Sequence, residues 1–160
     1  DSATASTFLD KVHDLGISQI DTAARYPHDN PGGSERMLGE VLAAEKGFTI
    51  NTKILFSGSS AEGSLSKEAV RESVKKSLKA LSVRKVRILY AHVADTATPL
   101  EEQAEALNEQ FQKGTCEEVK QSPSIPRRYS CLTIACRLGF ATFPWQHWRH
   151  LLVSARRKDM

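Results

Sequence analysis

The chain alternates amphipathic helical segments with short apolar runs, and this alternation limits its fold more than any other feature. Apolar residues recur at helical spacing in residues 6–15, after Ser34, and in residues 67–81 and 98–114. Short apolar runs between these segments predict strands at residues 17–20, 48–54 and 86–92. Such alternation favours parallel strands joined by right-handed crossovers. We therefore predict an α/β fold.

Capping residues locate several of the helix ends. Ser34 and Ser66 are predicted N-caps, because a serine hydroxyl can accept a hydrogen bond from a backbone amide in the first turn. Residues 98–101, Thr-Pro-Leu-Glu, combine a capping box with a proline at the first helical position. Gly16 and Gly114 are predicted to end the helices that precede them.

Reactive side chains follow each of the three predicted strands. Asp21 ends the first strand and Tyr26 follows it in a loop, Lys53 ends the second, and His92 ends the third. The carboxyl ends of parallel strands meet at one edge of a sheet, and the active sites of α/β proteins usually lie at that edge. We therefore expect these four side chains to converge. The Gly- and Ser-rich loop at residues 56–64 is a further candidate for the substrate side of this edge.

At these positions the sequence resembles the aldo-keto reductases, and most of all their aflatoxin-aldehyde reductase branch. The resemblance covers about residues 1–120. The matching motifs are IDTAARYP, GGSERMLGE, INTK, SVKKSLKAL, VRILYAHVAD and TPLEEQAEALNEQFQKG. It implies a (β/α)8 TIM barrel with parallel strands. A full barrel takes about 250 residues. We therefore expect a partial barrel that lacks the first strand and the C-terminal half.

The resemblance also implies a reaction, the reduction of an aldehyde or ketone to an alcohol with NADP(H). In such a reaction the substrate oxygen needs a proton donor, a role that falls to Tyr26. A free phenol has a pKa of about 10, and a neighbouring ammonium such as that of Lys53 favours the phenolate. Asp21 would hold Lys53, and His92 would orient and polarise the carbonyl.

Each of these residues also has an ordinary structural explanation when taken alone. An acid after a strand is often a turn residue, a loop tyrosine often packs, and a single histidine often satisfies a backbone group. Their joint occurrence within matching words favours descent from a reductase site.

Cofactor binding is where the sequence departs from the resemblance. The family grips the nicotinamide carboxamide with a Ser-Asn pair, which aligns here with Ser122 and Pro123. Proline has neither an amide side chain nor a backbone donor, so Ser122 is our single candidate for cofactor binding. Arg87 also stands where the family usually has an acid. We expect weak or no NADP(H) binding and an impaired reductase.

Residues 121–160 differ in character from residues 1–120, and we interpret them as a divergent tail that is irregular or disordered. Residues 1–113 hold 14 Lys and Arg against 16 Asp and Glu, whereas residues 114–160 hold 8 against 3. The predicted alternation of helices and strands ends near Gly114. All three cysteines, Cys116, Cys131 and Cys136, follow that glycine.

The sequence favours no metal, membrane or nucleic-acid site. The spacing of His147 and His150 is not completed by a third ligand. The chain shows no signal peptide and no apolar run of membrane-spanning length. The basic residues of the helix at 67–81 are typical of a solvated face. Few cysteines and no leader predict a cytoplasmic protein.

Two functions of different classes remain open from the sequence. The first is the NADP(H)-dependent reductase, whose partner is a small-molecule carbonyl substrate. The second is a non-catalytic half-barrel that acts as a binding or interaction module. An unclosed sheet has open edges that can pair with another chain, so an oligomer formed through those edges is a possible partner state.

Overall fold

The computed structural model describes residues 1–56 and 61–122, and within them it contains four helices and four strands. In chain order they are α1 (Ser2–Asp14), β1 (Gln19–Asp21), α2 (Gly33–Glu40), β2 (Thr49–Lys53), α3 (Lys67–Ala80), β3 (Val86–Ala91), α4 (Leu100–Gln112) and β4 (Cys116–Gln121). No helix in this part of the chain is long and apolar enough to cross a membrane.

The strands form one parallel sheet in the order β1-β2-β3-β4. Each strand pairs with the next one along the chain, as in Gln19 opposite Thr49, Asn51 opposite Ile88, and Val86 opposite Cys116. Sequential parallel pairing with a helix in each crossover is the arrangement of a (β/α)8 barrel. The predicted α/β fold is confirmed, and a partial barrel is consistent with it.

The core lies between the sheet and the helices of its crossovers. Helices α3 and α4 pack against each other, and the most deeply buried large apolar residues are Ile54, Val70, Leu81, Leu89 and Leu107. Leu89 lies in β3, Val70 in α3 and Leu107 in α4, whereas Ile54 and Leu81 directly follow β2 and α3. The helical spacing in the sequence therefore identified the correct faces of α3 and α4.

Two of the helix ends differ from the predictions. Helix α2 begins at Gly33 behind Gly32, which has a φ of 79°, and the Ser34 hydroxyl instead accepts a hydrogen bond from Thr22 Oγ1 at 3.0 Å. Pro99 is the N-cap of α4, and Thr98 Oγ1 donates to Asp95 at 2.7 Å. The predicted caps at Ser34 and Thr98 are wrong because nearby side chains engage both hydroxyls.

The alternation of elements does not stop at Gly114. This residue has a φ of 69° and ends the turn after α4, and the chain then enters β4 beside β3. The prediction that regular alternation ends there is wrong by one strand. Leu42 belongs to the apolar residues at helical spacing after Ser34, which predict a buried helical face, but it has a φ of 52° and is 45% exposed because α2 ends at Glu40.

Candidate active site

The candidate site lies at the carboxyl edge of the sheet, where the backbone holds successive strand ends side by side. Thr22 N donates to Asn51 O at 3.0 Å, Ile54 N to Tyr90 O at 2.9 Å, and Ser122 N to Ala91 O at 2.9 Å. Asp21, Lys53, His92 and Ser122 are each at the end of their strand or directly after it. All four are therefore placed along one edge.

Lys53 is the most enclosed charged group of the site. It is 9% exposed, and its ammonium donates to Asp21 Oδ2 at 2.5 Å and to Thr22 O at 2.8 Å. A buried ammonium is stable only when its protons have acceptors. Asp21 and Thr22 supply these acceptors from the end of the neighbouring strand, so the position of the charge is fixed by the β1–β2 pairing.

Tyr26 lies over the Lys53 ammonium. The distance from Lys53 Nζ to the centre of the Tyr26 ring is 5.3 Å, and Tyr26 is 41% exposed. Its backbone is held on both sides, since Tyr26 N donates to Ala23 O at 2.9 Å and Ser34 N donates to Tyr26 O at 3.0 Å. The phenol is thus open to solvent on a loop that is anchored to the start of α2.

His92 stands edge-to-face between two aromatic rings. Its ring centre is 5.7 Å from that of Tyr26 and 5.1 Å from that of Phe56. Burial and the positive charge of Lys53 lower the pKa of His92, and the negative charge of Asp21 opposes them in part. The imidazole is therefore neutral near pH 7, and a neutral imidazole offers one donor and one acceptor.

The structure brings Asp21, Tyr26, Lys53 and His92 together, as expected from the strand ends. Their catalytic roles stay predictions, because geometry alone does not test them.

Three further residues are neighbours of the site. Arg25 and Tyr90 were given no role in the sequence analysis, whereas Phe56 begins the loop at residues 56–64 that was predicted for the substrate side. Phe56 contacts His92, the guanidinium of Arg25 lies 5.7 Å from the Phe56 ring centre, and the ring centre of Tyr90 lies 5.6 Å from Lys53 Nζ. Tyr90 had a usable signal, because it pairs with Lys53 in the β2–β3 register and paired residues share a face. Phe56 and Arg25 lie in loops, where sequence periodicity gives no direction.

Two buried side-chain atoms of the sheet have no hydrogen-bond partner within the described residues, Gln121 Nε2 and Asn51 Oδ1. Asn51 pairs with Ile88 and Gln121 pairs with Ala91 in the strand register, so the two side chains lie on opposite faces of the sheet. They therefore do not form one site for the carboxamide of a nicotinamide. Gln121 directly precedes Ser122, the predicted cofactor residue, whereas Pro123 lies outside the described residues.

The remaining predicted features concern metals and cysteines. Within residues 1–56 and 61–122, no group of three or more His, Cys, Asp or Glu side chains is placed to hold a metal ion. His147, His150, Cys131 and Cys136 lie outside the described residues. Cys116 is buried in β4, and burial raises the pKa of its thiol to about 12, so it is not a thiolate nucleophile at neutral pH.

Comparison with known proteins decides the family. The family model described as "Aldo/keto reductase family" matches residues 1–128. The chain belongs to the aldo-keto reductase family. The matched residues extend past β4, and membership of this family agrees with the parallel sheet described above.

Curated relatives give the same result over about a third of their own length. A probable voltage-gated potassium channel subunit beta from Arabidopsis thaliana is 31% identical over 119 residues, 71% of this chain and 35% of that protein. An aldo-keto reductase of Pseudocercospora fijiensis is 33% identical over 107 residues, 66% and 35% of the two chains. The L-glyceraldehyde 3-phosphate reductase of Escherichia coli K12 is 34% identical over 128 residues, 75% and 36%.

A solved structure shows the same fold. The holo form of an aldo-keto reductase from Bacillus halodurans superposes with a TM-score of 0.64 at 27% sequence identity. The likeness covers 76% of this chain and 42% of the Bacillus chain. The four parallel strands therefore correspond to a part of an aldo-keto reductase barrel.

Proposed function

We propose that this chain carries an aldo-keto reductase site that reduces aldehydes or ketones to alcohols with NADP(H). One observation carries the proposal: a buried ammonium, that of Lys53, donates to the Asp21 carboxylate and lies 5.3 Å from the centre of the partly exposed Tyr26 ring. Family membership and a reductase among the relatives support it.

Each residue of the site has a separate role in protonating the substrate oxygen. Tyr26 gives its hydroxyl proton to the carbonyl oxygen, and Lys53 stabilises the phenolate that remains. Asp21 and the Thr22 carbonyl hold the ammonium in place. His92, neutral near pH 7, donates a hydrogen bond that orients the carbonyl. NADPH, when bound, supplies the hydride that adds to the carbonyl carbon.

We propose Ser122 as the residue of this chain that would hold the nicotinamide amide. Pro123 supplies no amide there, so we propose that binding is weak and that activity is impaired. We further propose aldehydes of the kind reduced by the aflatoxin-aldehyde reductase branch as substrates, on the strength of the IDTAARYP and VRILYAHVAD words. A cytoplasmic location accords with the absence of cysteine from residues 1–115.

The test is the substitution Tyr26→Phe, which keeps the ring and removes the proton donor. With 4-nitrobenzaldehyde and saturating NADPH, we expect the rate to fall by about a hundredfold to ten-thousandfold. Tyr90→Phe is the matched control, because it removes the hydroxyl of the other ring beside Lys53. Equal rates for the unmodified chain and Tyr26→Phe would refute the reductase proposal.

A second candidate is an interaction module that pairs through the sheet edges. Within the described residues, β1 and β4 each pair with a strand on one side only, and an open edge strand is a template for another chain. Two of the relatives, from Arabidopsis thaliana and Schizosaccharomyces pombe, are named as potassium channel beta subunits. Analytical ultracentrifugation distinguishes this candidate, since it requires a concentration-dependent oligomer and the reductase does not.

A further inference from the structure

A second cleft lies between α2 and α3, apart from the candidate active site. Its volume is about 550 Å³, within the range of about 300 to 1,000 Å³ that small-molecule sites occupy. None of Asp21, Tyr26, Lys53 and His92 lines it. Ala24, Gly39, Leu55 and Ala80 form an apolar wall.

Backbone contact and buried hydrogen bonds fix the elements that line this cleft. A Cβ atom added at Gly39 would lie 2.0 Å from Ala80 O, so α2 and α3 are in backbone contact at this point. Glu35, 2% exposed, accepts a hydrogen bond from Thr52 Oγ1 at 2.5 Å and so ties α2 to the sheet. Ser73 accepts one from Leu55 N at 2.8 Å. The space between the helices is therefore built into the fold.

The mouth of the cleft carries a surplus of positive charge. Arg36, Lys76 and Lys79 line it together with one exposed acid, Glu40. The side-chain ammonium of Lys79 has no hydrogen-bond or ion-pair partner in the part of the chain that the structure describes.

The other charges near the cleft are already engaged. The guanidinium of Arg36 donates to Asn30 Oδ1 at 2.8 Å, Lys76 lies 3.6 Å from Glu72, and Glu40 accepts from Ser2 at 2.9 Å. Burial raises the pKa of Glu35, against hydrogen bonds from Thr52 and Ser77 that lower it. Three basic residues line the cleft against two acids, Glu35 and Glu40, so its net charge is positive even when both acids are ionised. Lys79 is the cation best able to contact a ligand.

We propose that this cleft binds a small organic anion with a flat apolar body and a single carboxylate, sulfonate or phosphate group. The body would lie along the wall formed by Ala24, Leu55 and Ala80, and the anionic group would meet Lys79 and Lys76 at the mouth. Mostly apolar walls with a few placed polar groups are usual for such sites. The proposal is independent of the reductase function, because it shares no catalytic residue with it.

The test uses 2-naphthalenesulfonate as the probe and amide NMR shifts of the isotope-labelled full chain as the readout. We expect saturable shifts at Gly39, Ser77 and Ala80. Lys79→Glu should weaken binding by about tenfold, because it reverses a charge at the anionic group. Lys75→Glu is the matched control, an exposed lysine of the same helix that does not line the cleft.

An uncharged probe keeps the test decisive if Lys79→Glu disturbs the fold. Naphthalene-2-sulfonamide has the same body without the charge, and we expect it to produce no saturable shifts in the unmodified chain. Equal binding of both probes, equal weakening by Lys75→Glu and Lys79→Glu, or shifts confined to other residues would each overturn the proposal.

Discussion

Lys53 is the residue on which the geometry of the candidate site depends. Replacing it with methionine keeps the apolar stem and removes the ammonium, so Thr22 O and Asp21 lose their shared donor. We expect Lys53→Met to abolish measurable carbonyl reduction. We also expect it to lower the free energy of unfolding by about 1 to 3 kcal/mol, because a buried carbonyl is left without a partner. Urea denaturation measures this change.

Lys46→Met is the control for that substitution, because the Lys46–Asp10 pair has the same chemistry at the surface. Exposed ion pairs contribute about 0 to 1 kcal/mol. An equal loss of stability in the two variants would mean that the burial of Lys53 has no energetic consequence.

His92 gives the site a dependence of stability on pH. Its pKa is lowered in the folded chain, mainly by burial and then by the charge of Lys53, so folding favours the neutral ring. The resulting stability is complete above the unfolded value of about 6.5 and is lost as the pH falls through the lower folded value. We therefore expect the unmodified chain to lose more stability between pH 7.5 and pH 5 than His92→Gln does.

Glu35 also makes the stability of the fold depend on pH, and the comparison with His92→Gln removes its contribution. Burial raises the pKa of Glu35, so its contribution has the opposite sign and is lost as the pH rises. Both chains contain Glu35, so its effect cancels in the difference. Parallel pH profiles from urea denaturation of the two chains would contradict the assignment to His92.

At the scale of single residues, the sequence predicted those side chains whose positions follow from strand ends. Asp21 and Lys53 end successive parallel strands, and His92 directly follows the next strand. The parallel pairing of these strands therefore places all three residues at one edge of the sheet. The hydrogen-bond partners of Glu35 and Asp95 could not be predicted from the sequence. Thr52 donates to Glu35 and Leu65 donates to Asp95, and each pair is distant in sequence and meets only in the folded chain. Loop residues such as Phe56 have no periodicity from which to infer a direction.

Among the elements, the loop after β3 is fastened to the segment before α3 by one carboxylate. Asp95 is 2% exposed and accepts hydrogen bonds from the backbone amides of Gly63, Leu65, Ala97 and Thr98 and from the Thr98 hydroxyl. Burial acts to raise the pKa of Asp95, but these hydrogen bonds outweigh it and lower the pKa. The ionised carboxylate therefore stabilises the connection between the two loops.

Asp95→Asn tests that connection. An amide group presents a donor where the carboxylate only accepted, so at least one of the buried N–H or O–H donors loses its partner. We expect the free energy of unfolding at pH 7 to fall by about 2 to 3 kcal/mol. Glu101→Gln, an exposed acid of α4, should change it by less than about 0.5 kcal/mol. Equal effects would show that the network contributes nothing specific.

The elements differed in how well the sequence predicted them. Helix α3 was predicted to within a residue, because Ser66 caps it through Ala69 N at 3.4 Å and four apolar positions follow at helical spacing. Strand β4 was missed because Cys-Glu-Glu-Val-Lys-Gln contains little apolar alternation. Its pairing with β3 forms it, and such pairing depends on residues distant in sequence.

For the whole molecule, the sheet determines which part of an aldo-keto reductase site is present. The four described strands bring Asp21, Lys53 and His92 to one edge beside Tyr26, the proton donor that we propose, and Ser122 directly follows the fourth strand. The chain spans 35% to 36% of the curated relatives compared above. The residues proposed for proton donation are therefore better represented in the described part of the chain than the residues proposed to hold the cofactor.

We therefore expect weak NADPH binding to limit the reductase activity of this 160-residue chain. A substitution at residue 123 tests whether Pro123 is the cause of the weak binding. Binding energy comes from groups that hold the cofactor, and hydride transfer needs the reacting atoms within about 3 to 3.5 Å. We expect NADPH to bind weakly, and we expect Pro123→Asn to tighten binding by about tenfold, because one well-placed hydrogen bond contributes about 0.5 to 1.5 kcal/mol. Pro126→Asn is the control, a neighbouring proline outside the aligned pair. Fluorescence titration measures all three affinities, and saturable micromolar binding by the unmodified chain would show that Pro123 does not limit it.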